Sequence, residues 1–403
     1  MSIGQIGLIL IIACVVAIVS RRLRLPYSVG LVAAGLCLAK LGGAMNLIVS
    51  PDFIYTVLLP PLIFEAALQL KWRPFRSDLP VTLLLAFPGV VITGAIVATG
   101  LHFLAGWGWL GAALFGALIS ATDPVSVIAA FKELKVEPRL SLLVESESLL
   151  NDGAAAVAFA VLLSVAHGAP IDPVTIASSL GWMTLGGVGV GVLSALAALL
   201  VAGRTEDHLV EITLTTIAAY GSFWIAEHFH MSGVLAALAA GLVVGNAGWS
   251  GWMGCSISAA GRDHLVSFWE YAAFLSNSVV FILIGVHEAN QASRLVTQAA
   301  ALAIGLVLSA RIATVYPLSA IFLRSRLQVD LRHQHVLVWG GLKGALALAL
   351  ALAVPEAVPE KGAIIIAAFA VVAFSIFAQG LTMPWLIGAL SLKADREDVG
   401  KGG

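Results

Sequence analysis

The chain has 403 residues, of which 60% are hydrophobic and 11% charged, with a formal net charge of -1 and a mean hydropathy of +0.98. Soluble domains carry about 25% charged residues, so this composition excludes a soluble enzyme or a nucleic-acid-binding module and indicates an all-α polytopic membrane protein. Cys14, Cys37 and Cys255 lie far apart without metal-ligand spacing and read as small apolar packing residues.

Windows of about 20 apolar residues lay out thirteen transmembrane helices. The first, residues 3–20, is followed by Arg21-Arg22-Leu23-Arg24. A signal peptide carries its charges before its apolar run, so a retained helix is expected. The second centres near residue 34, and the third holds Leu59-Pro60-Pro61-Leu62-Ile63-Phe64-Glu65. The fourth centres near 91. The fifth carries Ser120-Ala121-Thr122-Asp123-Pro124 at its middle, and the sixth opens with Glu145 and Glu147 and runs through Ser148-Leu149-Leu150-Asn151-Asp152. Spans seven to nine centre near 189, 218 and 240. The tenth contains Glu270 and Asn277, the eleventh Arg311, the twelfth Trp339-Gly340-Gly341-Leu342-Lys343-Gly344, and the thirteenth centres near 376. Residues 392–403 form a short tail, and no loop is long enough for a soluble domain.

Loop charges test this layout. With the N-terminus outside, seventeen Lys and Arg residues fall on the inner side: Arg21, Arg22, Arg24, Lys71, Arg73, Arg76, Lys132, Lys135, Arg139, Arg204, Arg262, Arg324, Arg326, Arg332, Lys393, Arg396 and Lys401. Only Lys40, Arg294 and Lys361 fall outside, and Arg311 and Lys343 remain within the membrane. That asymmetry is the positive-inside pattern, and it puts the C-terminus in the cytoplasm of a bacterial-type inner membrane.

The chemistry sits in the few ionisable groups left in apolar spans. A carboxylate at the bilayer centre costs about 2.5–3.5 kcal/mol on insertion scales, so it persists where it faces protein or water and has a task. Ser148 and Asp152 are four apart and share a helix face. A hydroxyl above a carboxylate is half a shell for a small hard cation, or a proton site. Proline removes a helical donor and disfavours helix in the residue before it, so Asp123 should lie where span five unwinds. Three glycines in five residues favour a break in span twelve around Lys343.

Spans five and twelve are seven apart, and span seven separates two sets of six with opposite starting sides. This is the arithmetic of an inverted-topology repeat with two crossing discontinuous helices. Their facing N-terminal ends carry partial positive charge, matched by Asp123. Their C-terminal ends carry partial negative charge, matched by Lys343. Glu147 is expected to pair with Lys343. Glu65 is expected to pair with Arg311 or to hydrogen-bond at the ion site.

At these residues the chain resembles the monovalent cation:proton antiporter family that contains NhaP-type sodium/proton antiporters and animal sodium/proton exchangers, an NhaA-like antiporter fold. The resemblance covers the whole chain. It is carried by Leu59–Glu65, Thr122-Asp123-Pro124, Glu147–Asp152, Glu211-Ile212-Thr213-Leu214, Ala226-Glu227, Ser232–Ala236, Phe268-Trp269-Glu270-Tyr271 with Asn277-Ser278, and Gly340–Leu346. It implies a non-enzymatic secondary antiporter without cofactors, working as a homodimer among membrane lipids. A mobile ion-binding core (77–168 and 296–391) would move against a fixed dimer-interface part (1–76 and 169–295). The cation ligands would be Asp152, Ser148, the Thr122 carbonyl and Glu65, with Asp123 and Asn151 nearby. An Asn-Asp pair such as Asn151-Asp152 resembles the electroneutral exchangers, whereas relatives with two adjacent aspartates are electrogenic. The family usually has arginine where Lys343 stands; lysine keeps the charge and loses the bidentate fork.

Sodium or lithium would then exchange for a proton by competition at Asp152. Potassium is the alternative cation, and a proton-coupled organic-anion transporter on a similar fold the alternative class. An anion carrier wants uncompensated positive helix ends, which Asp123 would fill. An intramembrane protease lacks its motif here, since there is no His-Glu-x-x-His. A channel would want a continuous filter rather than one buried competitive carboxylate.

Overall fold

The computed structural model describes residues 3–23, 26–41, 51–168, 170, 172–250, 257–295 and 298–392. Arg24, Cys255, Lys393, Arg396 and Lys401 lie outside them, with the tail. Among the described residues the regular elements are helices, with no strand. In chain order they are α1 (Ile3–Leu23), α2 (Tyr27–Leu41), α3 (Pro51–Phe53), a π-turn (Ile54–Leu58), α4 (Leu59–Gln69), α5 (Trp72–Ala105), α6 (Trp109–Ser120), α7 (Val125–Leu134), α8 (Pro138–Ala166), α9 (Pro173–Ala202), α10 (His208–His228), α11 (Gly233–Ser250), α12 (Ala259–Leu295), α13 (Gln298–Ala320), α14 (Leu331–Trp339), α15 (Ala345–Ala353), α16 (Lys361–Phe374), a second π-turn (Ser375–Gly380) and α17 (Leu381–Ala389). Among the described residues, seven helices are long and apolar enough to cross a membrane, and shorter apolar helices accompany them.

Local chemistry explains several of these shapes. The first π-turn precedes Pro60 and Pro61, which have no N–H to continue the ladder. The carbonyl of Val57, which Pro61 would have served, instead accepts from the Tyr220 hydroxyl at 3.0 Å. Helix α5 starts at Trp72, so Arg73 and Arg76 lie on its first turns and not in a loop, as the charge count places them. Two buried or half-buried carboxylates serve helix starts. Glu211 accepts from the Ser258 N–H at 2.7 Å and the Ser258 hydroxyl at 3.0 Å, just ahead of α12. Glu227 accepts from the Gly233 N–H at 2.9 Å, at the start of α11, and from Tyr55 at 3.1 Å.

Helices meet where small residues allow close approach, as expected when lipid offers no hydrophobic drive for association. Gly35 of α2 faces the Gly285 backbone of α12, Gly94 of α5 faces Gly116 of α6, and Gly241 and Gly245 of α11 lie on the Phe64 and Leu68 backbone of α4. Helix α8, which carries the acidic motif, packs on α5 and α6, and α4 packs on α11 and α12. Cys14 and Cys37 are free thiols exposed on the surfaces of α1 and α2.

Candidate functional site

Both expected breaks are present. Helix α6 ends at Ser120, residues 121–124 leave the helix, and α7 begins at Val125. Helix α14 ends at Trp339 and α15 begins at Ala345. The two breaks touch: the Asp123 N–H donates to the Leu342 carbonyl at 2.8 Å. Asp123 accepts from the Val125 N–H at 2.9 Å, in the first turn of α7. Its carboxylate also lies against Gly344, the residue capping α15. One carboxylate therefore accepts from the first turn of α7 and stands beside the positive end of α15.

The negative ends are divided between two cations. Lys343 Nζ donates to the Ala121 carbonyl at 3.1 Å, just past the end of α6. Arg311 Nη2 donates to the Leu337 carbonyl at 2.6 Å, in the last turn of α14. Gln379 donates to the Trp339 carbonyl at 3.0 Å. Lys343 thus covers one C-terminal end, not both.

The ion pairing also differs from expectation. Glu147 pairs with Arg311, Oε1 to Nη1, at 2.7 Å, and Lys343 makes no ion pair among the described residues. Glu147 and Arg311 are 3% and 4% exposed, so each neutralises the other away from water. Glu65 pairs with neither cation; it accepts from Gln69, one turn on in α4. The reason is reach. The guanidinium of Arg311 spans from Glu147 to the α14 carbonyl, whereas the lysine head is spent on the crossing itself.

Around Asp152 the polar groups form a chain. Asn151 Nδ2 donates to Glu147 Oε1 at 2.6 Å and to Thr122 Oγ1 at 3.2 Å. Thr122 Oγ1 donates to Ser148 Oγ at 3.0 Å, and Ser148 Oγ donates to the Thr122 carbonyl at 2.5 Å. The Thr122 N–H donates to Asp152 Oδ1 at 3.2 Å. Asn151 must turn its amide nitrogen toward Glu147, since its oxygen would meet a carboxylate there. Its Oδ1 is buried without a partner among the described residues.

One cavity of about 90 Å³ gathers Asp152, Ser148, Thr122, Asp123 and Glu65, with Asn277 of α12 and Gly344. It can hold several waters or a partly hydrated ion. Its polar lining is made of carboxylates, hydroxyls, an amide and backbone, so it suits a hard monovalent cation and a proton. Asn151, Glu147, Arg311 and Lys343 stand outside the lining. Sequence reasoning does not pick out Gln69, Ser375, Gln379 or Leu342 for the site. Ser375 accepts from the Lys343 N–H at 3.1 Å and so ties the second break to the last span. The signal that could find them is two polar residues, Ser375 and Gln379, in an otherwise apolar stretch.

A methyl at Gly344 would land on the Asp123 carboxylate. Gly344→Ala is therefore expected to destabilise the protein by about 1–3 kcal/mol, as overpacking does, and to lower transport. Thermal unfolding in detergent measures the first and vesicle flux the second; an alanine variant equal to the parent in both would mean the crossing has slack.

A family model described as "Sodium/hydrogen exchanger, transmembrane" matches residues 9–389. Over 379 residues the chain is 37% identical to the Na(+)/H(+) antiporter ApNhaP of Aphanothece halophytica, covering 93% of this chain and 71% of that one. It is 35% identical over 391 residues to the Na(+)/H(+) antiporter NhaS2 of Synechocystis, covering 96% and 70%. Its backbone matches the sodium proton antiporter MjNhaP1 from Methanocaldococcus jannaschii with a TM-score of 0.78 at 20% identity, over 98% of this chain and 99% of the other. On a family match across nearly its whole length, the chain belongs to the transmembrane sodium/hydrogen exchanger family.

Proposed function

We propose that this protein is an antiporter exchanging sodium or lithium for a proton, one for one, by competition at Asp152. The carrying observation is that Asp152 lines the cavity beside Ser148 and the unwound Thr122 backbone and makes no ion pair among the described residues, its hydrogen bond there coming from the Thr122 N–H at 3.2 Å. Glu147, outside the lining, is balanced by Arg311 at 2.7 Å, Asp123 is engaged by the Val125 N–H at the start of α7 and lies beside Gly344 at the start of α15, and Glu65 accepts from Gln69. The curated relatives named as Na(+)/H(+) antiporters support the choice of substrates.

The mechanism follows from charge. Sodium would be held by Asp152, Ser148, the Thr122 carbonyl and Glu65, with water completing the shell. Either sodium or a proton neutralises Asp152. A loaded site can then cross the barrier, whereas an empty charged one pays desolvation and stays. Exchange becomes obligatory without a second gate. In this reading the chain forms thirteen spans related by an inverted repeat, with the N-terminus outside and a homodimeric fixed part. Residues 77–168 and 296–391 move as the core. Occupation of the positive helix ends by Asp123 argues against an organic-anion substrate.

Reconstituted vesicles with an internal pH dye test the proposal. A proton gradient is imposed, then sodium, lithium or potassium is added, with voltage clamped by potassium and valinomycin for the first two. Sodium- or lithium-evoked proton release that ignores the clamp is the expected result. Release that follows the clamp would overturn one-for-one stoichiometry, and no release with any cation would overturn antiport.

A further inference from the structure

The polar lining of the ion cavity comes from several elements: Thr122 and Asp123 from the first break, Ser148 and Asp152 from α8, Glu65 from α4 and Asn277 from α12. The first five are all engaged within the protein. Asn277 is the exception, and its side chain makes no hydrogen bond among the described residues. It is half-buried and sits inside the apolar stretch Gly261–Val286 of α12. Polar groups inside proteins are nearly all hydrogen-bonded, and within an apolar span they face a cavity or a partner. An amide with no protein partner, in the wall of a polar cavity, is satisfied by what fills that cavity.

Helix α12 presents this amide firmly. The next residue, Ser278, lies with its Oγ 2.8 Å from the Tyr27 hydroxyl of α2, and Tyr27 stacks on Phe274 with ring centroids 5.3 Å apart. Two turns further on, Gly285 meets the Gly35 backbone of α2. Seven residues before Asn277, on nearly the same helix face, Glu270 accepts from Gln69 Nε2 at 3.4 Å. Contacts on both sides of residue 277 thus fix the rotation of α12 about its axis. The amide is also the right kind of group. A proton on Asp152 needs one oxygen, whereas a hard cation needs a shell of them, and choice among cations depends on ligand number, cavity size and rigidity. An amide oxygen is a hard ligand that adds no charge, so it strengthens cation binding without changing a one-for-one count. A water in its place would shift to suit a cation of any size.

We propose that Asn277 is a specificity-determining residue of the exchange: its amide oxygen turns to the bound cation, replaces one water of the shell, and sets the balance between sodium, lithium and the competing proton. The proposal rests on the antiport reading above and adds a ligand beyond the four proposed there. It also gives α12 a direct part in recognition, where the sequence pattern marks Asn277 only as a polar residue in an apolar span.

The test uses the whole protein in vesicles, with sodium- and lithium-evoked proton release measured against cation concentration and pH. Asn277→Leu removes the amide at similar size, Asn277→Ala removes it without bulk, and Asn277→Gln keeps it. In the first two, half-saturating sodium is expected to rise about tenfold and the lithium-to-sodium ratio of half-saturating concentrations to shift about threefold or more, with maximal rate within about twofold of the parent. The glutamine variant should return half-saturating sodium to within about threefold of the parent. With sodium scaled to each variant's own half-saturating concentration, the pH profiles should superimpose, because a proton on Asp152 uses no amide. Unfolding temperature in choline chloride checks the fold, and its rise in sodium chloride reads binding without transport; if the leucine variant does not fold, the alanine variant carries the test. Unchanged half-saturation, a loss confined to maximal rate, or equal weakening of sodium and lithium would overturn the proposal. If only this inference fails, the parent still exchanges sodium and is still stabilised by it; if the antiport reading fails, the parent does neither.

Discussion

Replacing Asp152 by asparagine is expected to abolish sodium-evoked proton release while leaving the fold intact. The amide keeps the size of the carboxylate, and its oxygen can still accept the Thr122 N–H that Oδ1 accepts at 3.2 Å. What disappears is the charge. A sodium ion in this cavity would then keep only Glu65 of its two carboxylate ligands, a loss of about 3 kcal/mol on insertion scales, which weakens binding by roughly a hundredfold or more. The amide also has no proton to release in exchange. Vesicle flux should fall to the level of empty vesicles, while thermal stability and elution volume stay within error of the parent. Flux within a few-fold of the parent would remove Asp152 from the centre of the scheme.

The second large effect concerns the buried pair behind the site. Arg311→Met leaves Glu147 charged and 3% exposed and strips the Leu337 carbonyl of its donor. Removing one partner of a buried pair typically costs about 3–5 kcal/mol, so a large drop in unfolding temperature is expected. Glu147→Gln/Arg311→Met, which removes both charges, should recover most of it. Lys343 makes no ion pair with Glu147 among the described residues, its Nζ donating to the Ala121 carbonyl instead. A double variant whose loss equals the sum of the singles would show that the two side chains do not act as a unit.

Much of the site is legible in the amino-acid sequence. Asp123-Pro124 and the glycines around Lys343 locate both breaks, because proline and glycine act on backbone wherever they stand. The four-residue spacing of Ser148 and Asp152 sets them on one face, and both line the same cavity. Partner choice is harder. Whether Arg311 or Lys343 meets Glu147 depends on helix rotation and tilt, which a one-dimensional pattern does not carry. The Glu65–Gln69 contact is a local i, i+4 pair, easily hidden behind the expectation of a long-range ion pair. Arg73 and Arg76 look like loop residues because charge resembles a loop, yet they ride the first turns of α5.

The crossing of the two broken helices is stitched by main chain, Asp123 N–H to Leu342 carbonyl. A peptide donor is the same atom whatever side chain it bears, and among common replacements proline alone deletes it. Evolutionary drift in the side chains of residues 123 and 342 would leave the stitch itself untouched. Distant lineages can thus exchange most of their residues and inherit the same junction, in keeping with a backbone match of 0.78 persisting at 20% identity.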